Sequence, residues 1–146
     1  MQRRTLLLLA SLLLAGTACS DTVSPEDRSL DGPWTTGPLI IGLGMALNLT
    51  WTNGDVGGSG GYAAFGSGAP CGTATITGSG TAVLTATRPT SREIRGQMTF
   101  GTGPRFQFQG TLTVDPQHPG FGGIDGILIA ADGTRCSLPL RQGLIP

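Results

Sequence analysis

The chain has 146 residues, with nine basic and nine acidic side chains and charged residues making up 12% of the total. That balance implies no basic face for nucleic acid, and the length suits one domain able to build a core of its own. A single histidine and three cysteines exclude a histidine-rich metal centre.

The first element in chain order is an export signal. Arg3 and Arg4 precede the apolar run 6–14 and the small residues Ala15, Gly16, Thr17 and Ala18, which stop at Cys19. A charged start, an apolar stretch of roughly 7–15 residues and small residues at a cut describe a secretory signal peptide, too short for the ~20 apolar residues that cross a bilayer. Residues 1–18 are therefore expected to be removed.

The segment Ala15-Gly16-Thr17-Ala18-Cys19 resembles the lipobox of bacterial lipoproteins, with Gly16 where that family prefers leucine. The resemblance implies a lipoprotein lipidated on the Cys19 sulfur by palmitate-type acyl chains and anchored to the membrane of the bacterial cell envelope. Each buried methylene contributes ~0.8 kcal/mol to such an anchor. Ser20, following the cysteine, implies the outer membrane. Ordinary secretion to the periplasm or outside, with cleavage after Gly16-Thr17-Ala18, is the alternative. Residues 19–29 are polar and have little to bury, so they are expected to form a flexible tether ahead of a domain spanning 30–146. Without Arg3 and Arg4, seven arginines face nine acids and there is no lysine.

With Cys19 lipidated, Cys71 and Cys136 remain as a pair in an oxidising compartment, where a disulfide is the default expectation. It would close a loop of 66 residues. A redox or metal-binding pair would need CxxC spacing or a neighbouring histidine, and neither is present.

From residue 30 onward the hydrophobic pattern has period two. Leu43, Met45, Leu47, Leu49 and Trp51 alternate with Gly44, Ala46, Asn48 and Thr50, and Phe106, Phe108, Gly110, Leu112 and Val114 alternate with Gln107, Gln109, Thr111 and Thr113. Such alternation predicts half-buried strands, here near 30–35, 43–52, 55–65, 72–78, 82–88, 93–101, 105–114, 122–130 and 134–141. Asn53-Gly54 and Asp132-Gly133 are hairpin dipeptides whose central positions favour positive φ. Short connections of this kind make successive strands antiparallel.

Gly96, Gly110 and Gly126 sit inside strands with large apolar residues two positions away. Glycine there weakens a strand unless the backbone bends or another element comes close, as a tightly curled barrel requires. The predicted fold is all-β, a single antiparallel up-and-down meander closing into a small eight- or nine-stranded barrel, with a β-sandwich as the alternative. With nine wall strands Cys71 and Cys136 fall toward opposite rims. Their bond then requires a strand count that differs by one or a strong stagger.

Gly32-Pro33-Trp34 resembles the G-x-W of lipocalins and avidins. The likeness implies that Trp34 plugs one barrel end with a late-strand arginine, Arg141 or in reserve Arg135, packed across it.

Catalytic chemistry finds little support. His118 lies between prolines in a loop, and no Gly-x-Ser-x-Gly elbow accompanies it. Asp115, Asp125 and Asp132 read as solvent-facing rather than as paired glycosidase carboxylates. Gly42-x-Gly44, Gly58-x-Gly60 and Gly101-x-Gly103 precede no helix that would present its N-terminus to phosphate. Arg88, Arg92 and Arg95 form a solvated turn cluster. We therefore expect no enzyme, cofactor, metal or nucleic-acid partner. Two functions stay open: a binding module for a small apolar ligand or an envelope protein, and a structural or interaction component with a filled barrel and no small-molecule ligand.

Overall fold

The computed structural model describes residues 29–36, 42–114 and 122–143. The strands are β1 (Gly32–Thr36), β2 (Leu43–Thr52), β3 (Asp55–Ala64), β4 (Ala69–Cys71), β5 (Ala74–Ile76), β6 (Ser79–Thr87), β7 (Glu93–Phe100), β8 (Arg105–Val114), β9 (Gly122–Ile129) and β10 (Arg135–Gln142). Eight of them form a closed barrel in the order β1-β10-β9-β8-β7-β6-β3-β2, each antiparallel to its neighbours. β1 completes the ring by pairing with Leu140–Gln142 of β10 on one side and with Ala46–Leu49 of β2 on the other. The fold is thus the expected meander with eight wall strands, and the sandwich alternative is set aside.

Alternation sorts the side chains. In β2, Leu43, Met45, Leu47 and Leu49 point inward and are buried, while Ala46, Asn48 and Thr50 face out. An eight-stranded ring is just wide enough for its own side chains to fill it. Trp34, Phe100, Phe106, Phe108 and Met98 are fully buried within one apolar cluster. Phe100 meets Tyr62 edge-on at 5.2 Å and Phe106 at 5.9 Å. Each such side chain stabilises the fold by ~1.5–3 kcal/mol relative to exposure.

The strand glycines serve this packing. Gly110 and Gly126 are direct cross-strand partners, and the Phe108 ring occupies the space that side chains there would need. A Cβ on Gly126 would lie 2.8 Å from Phe108 Cε2. At Gly60 a Cβ would lie 1.9 Å from the Ala46 carbonyl oxygen, so β2 and β3 keep their approach only because position 60 has no side chain.

The turns follow their residues with one difference. Asn53 (φ 51°) and Gly54 (φ 90°) are both left-handed, as a two-residue hairpin requires. At Asp132-Gly133 only Gly133 has positive φ (85°). The loop is longer than the dipeptide suggests, with the Ala130 N–H donating to the Thr134 carbonyl at 2.9 Å. This leaves the Asp132 carboxylate available for another task.

The predicted strand at 72–78 does not belong to the wall. Between β3 and β6 the chain leaves the ring and makes the separate two-stranded β4–β5 hairpin. Ala69, Cys71 and Ile76 of this hairpin are buried in the barrel's apolar cluster, while Pro70 and Thr75 face out. Removing one strand from the wall brings Cys71 and Cys136 to the same end, which resolves the conflict that a nine-strand count creates. In the ring order, the β3–β6 boundary lies diametrically opposite the β9–β10 boundary. The hairpin therefore crosses the whole mouth.

Candidate functional site

At the end crossed by the hairpin, Cys71 is bonded to Cys136 with Cα atoms 5.9 Å apart. Beside them Asp132 Oδ2 accepts the Thr73 N–H at 2.8 Å, and Oδ1 accepts the Thr134 N–H at 2.9 Å. One carboxylate thus joins the hairpin tip to the β9–β10 turn, parallel to the covalent link. Hydrogen bonds from the Thr134 backbone, the Thr134 side chain and the Thr73 backbone hold its pKa below the ordinary 3.8 against an opposing desolvation effect.

A carboxylate with a lowered folded-state pKa stabilises the fold above its unfolded pKa and loses that contribution as pH falls through the folded value. Asp132→Ala should therefore lower Tm relative to the native chain by a constant gap at about pH 5–7, and the gap should shrink below about pH 4. Thermal melts across that range check this. A gap independent of pH would mean that the carboxylate charge plays no part.

The opposite end is closed by the segment entering β1. Leu30 leaves the wall and is buried, and the Trp34 indole N–H donates to its carbonyl at 2.8 Å. Gln142 Nε2 donates to the Ser29 and Asp31 carbonyls at 3.2 and 3.3 Å, and Asp31 Oδ1 accepts the Trp51 N–H at 2.7 Å. Trp51 shares the inward parity of β2 yet remains 36% exposed, because its rung lies at the barrel's lip. The Arg88 guanidinium stacks on its ring at 4.5 Å from the centroid. Around this pair a cleft of about 370 Å³ is lined by Trp51, Gly54, Arg88, Pro89, Thr90 and Ser91.

A second cleft, of about 440 Å³, lies on the outside of the wall near the disulfide end. Gln97, Arg105, Gln107, Ile129, Ala131 and Gly133 are among its lining residues. Neither cleft is lined by a carboxylate, an imidazole or a thiol. Their surfaces offer amide and guanidinium hydrogen bonds and apolar contact, which suit binding. Among the described residues no three His, Cys, Asp or Glu side chains converge as metal ligands.

The expected pair Trp34 and Arg141 is not brought together. Arg141 follows the inward Leu138 and Leu140, so it projects from the outer face, where Nη1 lies 3.5 Å from Asp125 Oδ1. The reserve candidate Arg135 lies on the outer face as well, with Nη2 3.4 Å from Gln109 Oε1. The turn cluster divides: Arg95 pairs with Glu93 at 3.0 Å, while Arg88 stacks on Trp51. That stack was missed, although the even spacing of Trp51 beside the Asn53-Gly54 turn places it at the lip. The expected signal peptide 1–18, Cys19, most of the expected tether, Asp115 and His118 lie outside the described residues. In comparisons with known proteins, no family model, no curated protein and no solved structure matches this chain.

Proposed function

We propose that this protein is a non-enzymatic interaction component of the bacterial cell envelope, anchored by lipid on Cys19 and recognising a protein partner through its outer surface. The observation that carries this reading is the occupied interior: Trp34, Met98, Phe100, Phe106 and Phe108 fill the ring. The β4–β5 hairpin covers one mouth, and Leu30 with Trp34 closes the other. A small apolar ligand would have to displace this packed core, at a cost of several kcal/mol. Trp34 at a barrel end is the point of likeness to lipocalins and avidins. The outward Arg141 departs from them, so their ligand chemistry is not part of the reading.

The lipid anchor rests on the lipobox-like segment, and Ser20 supports placement in the outer membrane. Two measurements test the proposal. Titration with an apolar fluorophore should give no saturable binding to the folded protein, and a one-to-one isotherm would reinstate the ligand-carrying alternative. Cells fed a fatty-acid analogue should label the native chain but not Cys19→Ala. An unlabelled native chain would end the anchoring claim.

A further inference from the structure

We propose that the Trp51–Arg88 end of the barrel is a second membrane contact, resting in the interfacial layer of the bilayer that holds the Cys19 anchor. The inference relies on the anchoring reading above. Its first support is where the chain enters the domain. Ser29, Leu30 and Asp31 pass directly under this mouth, held by Gln142 and by the Trp51 backbone.

The second support is reach. Eleven residue steps separate Cys19 from Leu30, which is at most ~40 Å even when fully extended. Turning the opposite end toward the bilayer would send the tether back along the wall, ~25 Å for ten-residue strands tilted by ~40°. That consumes most of the available length. The tether therefore holds the Trp51 end close to the lipid, at the high effective concentration that makes one weak contact sufficient.

The third support is the chemistry of the lip. An indole with an apolar body and one polar edge favours the interface between hydrocarbon and water, and an arginine can cover apolar surface while its charge stays hydrated. Trp51 and Arg88 offer this combination in one stack. Among the described residues at this end, Asp31, Asp55, Glu93 and Asp125 offset Arg88, Arg92, Arg95 and Arg141. The indole rather than net charge makes the contact, so it should form equally on neutral and anionic lipid.

The test uses the full chain recovered from bacterial membranes, with the mass of the Cys19 peptide recorded first. The protein is placed in phosphatidylcholine vesicles brominated on the acyl chains near the headgroup, and tryptophan emission is measured. The chain has two tryptophans, and Trp34 is enclosed. Roughly half of the emission should be quenched in the native chain and little in Trp51→Phe. An unquenched native chain, or equal quenching in the variant, would overturn the contact. A bare Cys19 mass would refute the lipid anchor instead. In that case the thiol is coupled to a maleimide phospholipid in the same vesicles, and the Trp51 reading is taken with the same two outcomes.

Discussion

Replacing Cys71 and Cys136 together by alanine is expected to lower the stability of the domain by about 4 kcal/mol, equivalent to a Tm decrease of about 15 °C. The bond joins residues 65 positions apart, and the loop it closes contains β5 of the hairpin and the wall strands β6 to β9, half of the eight-stranded wall. Opening it restores chain entropy to the unfolded state and frees one side of the hairpin in the folded state. Asp132 would then be the main polar link from the β9–β10 turn to the hairpin tip. Calorimetry of the native protein with and without reductant, beside the double variant, measures the effect. A variant that melts with the native protein would show that the hairpin is held without the bond, by its apolar contacts and the Asp132 link.

The next largest effect is expected at Gly60. A methyl group there would lie 1.9 Å from the Ala46 carbonyl oxygen and 2.9 Å from the Leu47 Cα. Both are backbone atoms, so no side-chain rotation relieves the overlap. Gly60→Ala should therefore cost about 3 kcal/mol, as overpacking does when main chain must move. Gly61 is the internal control: it is exposed, and a Cβ there meets nothing within 4 Å. Gly61→Ala should stay within about 0.5 kcal/mol of native. Urea unfolding of the two variants compares them directly. Equal losses would mean that strand flexibility, and not the close approach of β2 and β3, explains the glycines.

The contrast between these neighbours also marks how far the sequence was legible. Alternation placed every wall strand, because a side chain's face in a strand follows from its parity. It placed the inward glycines for the same reason. Ala74 and Ile76 follow the same rhythm, yet they form a hairpin across the mouth and not a wall strand. Parity reports that one face is buried and is silent about what buries it. Only closure of the ring, which depends on partners distant in sequence, separates the two cases.

The candidate site was less legible. The disulfide was available from the cysteine count once Cys19 had another use, but Asp132 as a clasp was not, since its role depends on a loop 59 residues earlier. Arg141 was misplaced by following a family likeness over the local pattern. Leu138 and Leu140 already assign position 141 to the outside. Trp51 illustrates the converse. Its parity is inward, and its exposure arises because the wall ends where it stands.

The way β1 enters the ring has a mechanical consequence. Its start lies at the Trp51 end, and it pairs along its length with β2 and β10. A pull on Leu30 directed away from the barrel, against a hold on the hairpin, acts parallel to β1 and loads it in shear. The flanking hydrogen bonds then resist together rather than unzipping one at a time, and the far side of the load path is covalent through Cys71 and Cys136 into β10. Such a geometry resists tension applied between Leu30 and the hairpin.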